Sequence, residues 1–163
     1  MIARHHLPPR SALIPLALLA LLLVLPGCHS TPMLQPANLS EPGWRVQTGQ
    51  AVWTPRRGAP EIAGEVLLAT HPDGRSIVQF TKSPFPIVLA RTVSNRWEIQ
   101  FVPQHRVFNG TGRPAKHFGW LQLAPAVAGR PLPGSFDFSR PTDARWRLEN
   151  RANGEVLEGY FLP

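Results

Sequence analysis

A short apolar run that ends at the only cysteine constrains what the rest of this chain can fold into. The chain has 163 residues, and Cys28 is its single cysteine. Arg4 and Arg10 precede an uncharged stretch rich in Leu and Ala over residues 12–25. A basic start followed by an apolar core of about 7–15 residues is typical of a secretory signal. One cysteine excludes a disulfide framework, so the exported fold depends on its hydrophobic core.

A transmembrane helix is the alternative interpretation of this run. Crossing a bilayer takes about 20 apolar residues, whereas this run is shorter and contains Pro15. Its end, Leu-Pro-Gly-Cys at residues 25–28, resembles the lipobox of bacterial lipoproteins. The resemblance implies cleavage before Cys28 and diacylglycerol on its thiol, which would account for a lone cysteine in an exported chain. We therefore expect residues 1–27 to be a lipoprotein signal peptide and Cys28 to be a membrane anchor.

The chain that remains after this cleavage is basic and has the size of one domain. It has 136 residues and a formal net charge near +5. An anionic lipid or envelope surface is the expected electrostatic partner, and not nucleic acid, because the chain is exported and shows no aromatic-basic recognition motif. An Arg-rich genome would produce the same composition, and both explanations fit the sequence. Residues 28–43 are rich in Pro and small polar residues and predict a flexible tether after the lipidated cysteine.

Residues 44–163 have the pattern of one β-rich domain. Trp97, Ile99 and Phe101 alternate with Glu98 and Gln100, which is typical of a strand with one apolar and one polar face. Turn signals such as Pro72-Asp73-Gly74 bound further runs of this kind. They lie at residues 62–71, 75–82, 87–92, 97–101, 106–108, 144–150 and 155–161, after two short runs within residues 44–55. The spacing predicts an antiparallel meander of about seven or eight strands.

One segment departs from the strand period. Apolar side chains at residues 118, 120, 121 and 123 predict a short helix over residues 115–124, which Pro125 limits. Residues 129–143 are rich in Pro and Gly and predict a crossing to a last hairpin. The expected fold class is therefore mainly β: an antiparallel meander, curled into a half-open β-barrel with the short helix as a partial lid.

No group of residues in the sequence forms a recognisable catalytic or metal-binding pattern. His71, His105 and His117 lack the close spacing of zinc ligands, and Ser135 does not lie in a G-x-S-x-G turn. No nucleophile stands beside an acid/base pair. We therefore expect neither an enzyme, nor a metal site, nor a cofactor.

The abundant aromatic and aliphatic side chains suggest a binding cavity. Five Trp and eight Phe form a large apolar surface, which either packs as a core or lines a pocket for an acyl chain. Phe85 stands apart, because Pro84 and Pro86 flank it in a predicted loop from which it would protrude. The candidates for the cavity lining are Phe80, Ile87, Leu89, Trp97, Ile99, Phe101 and Trp120.

Several of these features together resemble the LolA/LolB family, and the LolB side of it more closely. The lipobox and strand meander are followed by Trp120-Leu121, by Gly-Arg-Pro-Leu-Pro at residues 129–133, and by a closing Trp-x-Leu strand at residues 146–148. The resemblance implies a half-open barrel whose apolar cavity binds acyl chains. It also implies an outer-membrane lipoprotein that accepts lipidated proteins from a soluble periplasmic carrier, with Phe85 as its exposed membrane or cargo loop. His29 after the cysteine implies delivery to the outer membrane.

Two functions follow as expectations. The first is an outer-membrane lipoprotein on the periplasmic face, monomeric, that binds acyl chains or lipidated protein in a hydrophobic cavity. The second is a non-catalytic envelope scaffold that binds another protein or the cell wall. The chain also departs from the family, since it is shorter than typical members and has one predicted helix where they have several.

Overall fold

The computed structural model of this protein describes residues 33–163, which fold into nine strands and one short α-helix. A single 3-10 turn at Val102–Gln104 joins β5 to β6. The α-helix, α1, spans Gly119–Val127 and lies between β6 and β7 in the chain. The strands are β1 (Arg45–Thr54), β2 (Ile62–Thr70), β3 (Ser76–Lys82), β4 (Phe85–Val93), β5 (Arg96–Phe101), β6 (Arg106–Thr111), β7 (Phe136–Ser139), β8 (Arg145–Asn150) and β9 (Glu155–Phe161).

All nine strands belong to one antiparallel sheet that does not close. The order is β6-β5-β4-β3-β2-β1-β9-β8-β7, so β1 to β6 form a meander and the last three strands return along the free side of β1. The edge strands, β6 and β7, are each paired on one side only. The expected mainly β fold, an antiparallel meander with one short helix, is confirmed, and the strand number is nine where seven or eight were predicted.

Two glycines explain why some predicted strand boundaries are wrong. We expected a break inside residues 44–55 and the end of a strand after residue 108, yet β1 and β6 run through both places, the second of them at Asn109-Gly110. A Cβ at Gly49 would lie 1.9 Å from the carbonyl oxygen of Tyr160, and one at Gly110 would lie 2.6 Å from the Trp97 ring. These glycines therefore permit close packing inside a strand and do not mark turns. The predicted crossing over residues 129–143 also contains a strand, β7.

The helix lies further along the chain than predicted. We expected it over residues 115–124 with Pro125 as its limit, but α1 includes Pro125 in its last turn. Proline has no backbone N–H, so it removes one hydrogen bond from a helix. Near the C-terminus of a helix, few further hydrogen bonds come after the proline. The chain then closes the helix with backbone bonds, from Ala128 N–H to Ala124 O (3.1 Å) and from Arg130 N–H to Pro125 O (2.9 Å).

The core lies between the inner face of the sheet and α1. Trp120 of α1 is completely buried, and its ring stacks on Phe80 of β3 with centroids 4.9 Å apart. Trp53 of β1 meets the same indole edge-on at 5.8 Å. Strand alternation brings Val78, Ile99 and their neighbours to this face. One helix thus covers an apolar surface drawn from most of the sheet.

Residues 33–44, which we term the strap, cross the outer face of the sheet. One row of paired residues on the outer face is at most 9% exposed, although no helix within residues 33–163 packs on this face. The row consists of Ala69, Ile77, Arg91 and Glu98. The strap is held at both ends. Leu34 is buried and its N–H donates to Glu98 Oε2 at 2.8 Å, while Trp44 packs against His71 with ring centroids 5.3 Å apart.

Two phenylalanines test this assignment of core and surface. Phe80 is 0% exposed and Phe85 is 69% exposed. We expect Phe80→Ala to lower the free energy of unfolding by about 3–5 kcal/mol, because it leaves a cavity beneath Trp120. The matched control, Phe85→Ala, should change it by less than about 0.5 kcal/mol. Urea denaturation followed by tryptophan fluorescence measures both values, and equal losses would contradict the proposed packing.

Candidate functional site

A cleft of about 420 Å³ opens at the end of the sheet where β1 begins and β4 ends. The β2–β3 turn around His71 forms one side, and the start of β5 at Arg96 and Trp97 forms another. The helix α1 supplies the facing wall through Leu121, Ala124 and Pro125. Because α1 covers only part of the inner face, this end of the sheet remains open between the strands and the helix.

The wall of the cleft is apolar. Trp97 projects from the inner face of β5, opposite Gly110 of the edge strand β6. Leu121 and Ala124 face it from α1, with exposures of 3% and 5%. Aromatic and aliphatic walls of this kind are typical of small-molecule sites, in which a few polar groups set orientation.

The rim of the cleft is basic. Arg45, Arg75, Arg96 and Arg130 line it together with His71, and no carboxylate side chain lines it. Arg75 is largely neutralised, because both Glu41 carboxylate oxygens accept from its guanidinium at 3.0 and 2.9 Å and Asp73 accepts from its Nε at 2.7 Å. These contacts lower the pKa of Glu41, and hydrogen bonding from the backbone and side chain of Arg75 lowers the pKa of Asp73 to about 2.

The structure separates the seven residues predicted to line a cavity. Phe80, Ile99 and Trp120 are 0% exposed and form packed core. Only Trp97 lines the cleft. Phe101 is half-buried and stacks on Trp53 at 6.1 Å.

An irregularity in β4 turns the side chains of Ile87 and Leu89 in different directions. The register between β3 and β4 pairs Phe80 with Val88 but Thr81 with Pro86, so Ile87 is an extra residue and packs towards the core. Val88 then faces inwards with Phe80, which turns Leu89 to the outer face beside Gln79 and Gln100. The expectation that Leu89 lines an inner cavity is therefore wrong, and a bulge of this kind has no clear signal in residue alternation.

Phe85 lies at the other end of β4 from the cleft. It is the first residue of the strand, paired with Lys82 across the β3–β4 turn. The prediction that Phe85 lies outside a strand is wrong. Pro86 is tolerated near the start of β4, where its ring removes one backbone N–H donor from the sheet. The Phe85 side chain is 69% exposed, so an apolar ring is accessible to solvent at the β3–β4 turn, where Lys82 is its cross-strand neighbour.

Cys28 and the predicted signal peptide lie outside the described residues. The described part of the predicted tether, residues 33–43, lies against the sheet as the first part of the strap. Composition did not indicate this contact, since one leucine among prolines and small residues carries no periodic signal. With Leu34 docked, the link from Cys28 to the domain spans six residues, about 20 Å when fully extended.

Glu98 is a buried carboxylate that alternation assigned to the polar face. It is 0% exposed on the outer face under the strap, and it pairs with Arg91 and accepts from Gln100 Nε2 at 2.9 Å. Burial opposes ionisation of this group, but the hydrogen bonds from Leu34 N–H and Arg91 outweigh it and lower its pKa.

Glu155 is a second buried carboxylate, on the inner face, and it holds the start of α1. It accepts from Gly119 N–H at 2.8 Å and from Trp53 Nε1 at 3.0 Å. A Cβ at Gly119 would lie 2.9 Å from its Oε2, so a larger residue there would displace the carboxylate. Desolvation raises the pKa of Glu155 to about 7, since its two hydrogen bonds offset burial only in part.

Comparisons with known proteins give no relative. No protein-family model matches the chain, and no curated protein has a matching sequence.

Within residues 33–163, no helix has the length and apolar character to cross a membrane. In the same residues, no three His, Cys, Asp or Glu side chains are grouped so that they could bind a metal ion.

The Arg91–Glu98 pair gives a prediction about stability. Glu98→Gln should lower the free energy of unfolding by about 3–5 kcal/mol, because it leaves the Arg91 cation buried without its counter-charge. Glu158→Gln removes one of the two carboxylate partners of Arg147 at an exposed site and should cost no more than about 1 kcal/mol. Urea denaturation of both variants at pH 7 compares them; similar small effects would show that the strap does not bury the pair in solution.

Glu155 gives a prediction about pH dependence. Its raised pKa means that the folded chain binds a proton more tightly than the unfolded chain, whose value is near 4.5. The stabilisation is fully present below about pH 4.5 and is lost as the pH rises through about 7, a change of roughly 3 kcal/mol. Relative to Glu155→Gln, the natural chain should therefore lose stability between pH 5 and pH 8. Denaturation at several pH values measures the difference, and an exposed control, Glu61→Gln, should leave the pH profile of the natural chain unchanged.

Proposed function

We propose that this chain is a lipid-anchored envelope protein that binds an acyl chain, free or attached to a protein, in the cleft between the sheet and α1. The observation that carries the proposal is the combination of an apolar wall at Trp97, Leu121 and Ala124 with a rim of arginines. Burial of apolar surface would supply the affinity, and the rim would orient the polar end of the ligand. No covalent step is needed.

The architecture supports this proposal. An open antiparallel sheet with one helix on its inner face is compatible with a half-open barrel in which α1 is a partial lid. The cleft, about 420 Å³, lies within the range of roughly 300–1,000 Å³ that is usual for ligand sites. We place the ligand at the open end of the sheet, since Phe80, Ile99 and Trp120 fill the middle of the inner face.

The proposal includes the anchor and the partners. We propose diacylglycerol on Cys28, attachment to the periplasmic face of the outer membrane, and a monomeric chain that exchanges ligand with lipoproteins or a periplasmic carrier. Phe85 is the proposed contact for a membrane or cargo, since its exposed ring stands on a turn next to Lys82. Exposed aromatic side chains at turns are suited to transient apolar contacts.

A second candidate function is an envelope scaffold that holds no ligand. The observation in its favour is the dense inner core, in which Trp120 is 0% exposed and stacks on Phe80. A scaffold of this kind would bind a protein or the cell wall through its surface and would not depend on the cleft.

Filling the cleft tests the acyl-binding proposal. Ala128 is exposed and lines the cleft at the end of α1, whereas Ala152 is exposed in the β8–β9 turn at the other end of the sheet. We expect a fluorescent fatty acid to bind the chain that begins at Cys28, and Ala128→Trp to weaken binding at least tenfold, or about 1.4 kcal/mol. Ala152→Trp should have no effect. Residues 32–163 form one compact unit, so this chain keeps its core.

Two results would contradict the acyl-binding proposal. One is the absence of bound acyl ligand in native mass spectrometry, and the other is equal binding by Ala128→Trp and the natural chain. Recovery of a stoichiometric protein partner from envelope membranes, unaffected by Ala128→Trp, would instead favour the scaffold.

A further inference from the structure

We propose that the cleft selects amphiphiles with a single acyl chain and an anionic head group, and that Arg45 and Arg130 bind the head. This inference rests on the proposed function and specifies its ligand. The cleft is near the lower end of the usual range of ligand volumes, which suits one acyl chain better than the two or three chains of a lipidated protein.

The charge of the lining favours an anion over a zwitterion or a cation. Among residues 33–163, four arginines and one histidine line the cleft, and no aspartate or glutamate side chain does. A concave site with low-dielectric walls and charges of one sign concentrates its electric field. The carboxylates that pair with Arg75 of the lining, Glu41 and Asp73, are both engaged by that arginine. The rim therefore keeps a net positive potential towards the interior of the cleft.

Two of the arginines are available for a head group. Among residues 33–163, no ion pair involves Arg45 or Arg130. Both are exposed. Arg45 begins β1 on the sheet side, and Arg130 follows α1 on the helix side, so the two guanidinium groups border the cleft from different elements. Guanidinium groups bind carboxylate and phosphate through paired N–H donors.

The end of α1 does not oppose an anion as strongly as an open helix C-terminus would. Helix C-termini carry partial negative charge on their free carbonyl groups. Here the carbonyl oxygens of Ala124, Pro125 and Ala126 accept from the N–H groups of Ala128, Arg130 and Gly129. The last turn thus presents methyl and ring carbons to the cleft, and Arg130 is held beside it by its own backbone bond.

The position of the apolar wall sets the orientation of the ligand. Leu121 and Ala124 are buried on the side of α1 that meets the sheet, while Arg45 and Arg130 are exposed at the mouth. An acyl chain would therefore lie along Trp97 and Leu121 with its head at the mouth. This arrangement satisfies both halves of an amphiphile without burying a charge.

Three ligands of equal chain length test the head-group preference. Myristate, myristoyl-lysophosphatidylglycerol and myristoyl-lysophosphatidylcholine are titrated, below their critical micelle concentrations, into the chain that begins at Cys28, with displacement of a fluorescent fatty acid as the readout. We expect both anionic ligands to bind at least about tenfold more tightly than the zwitterionic one, because the choline cation cancels the net charge of that head group and is repelled by the arginines. The ratio between the two anionic ligands distinguishes a carboxylate from a phosphate source.

A pair of double variants locates the effect. Arg45→Gln with Arg130→Gln should reduce the anion preference to about twofold or less, and added salt should do the same to the natural chain. Arg56→Gln with Arg57→Gln removes the same charge from the β1–β2 loop, at the other end of β1, and should keep the preference. All four positions are exposed, so the fold should survive both changes, and circular dichroism verifies this.

The outcomes separate this inference from the proposed function. Equal affinity for all three ligands, or an unchanged preference in the Arg45/Arg130 variant, overturns the head-group inference and leaves acyl binding intact. Binding to phosphatidylglycerol vesicles without uptake of any monomeric amphiphile overturns both, since the arginines would then serve a membrane surface only. A preference that disappears in the Arg45/Arg130 variant alone supports the inference.

Discussion

The stacking of Trp120 on Phe80 is the contact on which the rest of the described structure depends. A single open sheet cannot bury its own apolar face, and α1 is the only helix packed on it within residues 33–163. The nine residues of α1 must therefore cover an inner surface formed by most of the strands. The large indole of Trp120 does this efficiently because it packs against both Phe80 and Trp53. Because α1 is this short, one end of the sheet remains uncovered, and the cleft lies there.

Two buried carboxylates hold the elements that the core alone would leave loose. Glu155 joins the first residue of α1 to β1 through Gly119 N–H and Trp53 Nε1. Glu98 joins the strap to β4 and β5 through Leu34 N–H and Arg91. The two environments differ in charge: a cation compensates Glu98, whereas only neutral donors contact Glu155. Burial raises the pKa of both groups. At Glu98 the hydrogen bonds from Leu34 N–H and Arg91 outweigh burial and lower the pKa, whereas at Glu155 the neutral donors offset burial only in part and the pKa stays raised.

The cleft combines features that separate elements supply. The sheet contributes Trp97 and Arg45, α1 contributes Leu121, and the segment after α1 contributes Arg130. Phe85 lies at the opposite end of β4, so an apolar contact site and the proposed ligand site occupy different ends of one strand.

The sequence by itself determined the β character of residues 44–163, the alternation that turns Trp97 and Ile99 to one face, and most turns, because these depend on local period and on Pro, Gly and Asn. Tertiary structure decided where the strands continue through Gly49 and Gly110, since close approach to Tyr160 and Trp97 is a contact between distant residues. It also decided that Phe80, Ile99 and Trp120 are core, that a bulge turns Leu89 outwards, and that the strap buries Glu98. The arginines of the cleft are scattered from residue 45 to residue 130, and only the pairing of strands and the placement of α1 bring them together, because no local pattern encodes a contact across the sheet.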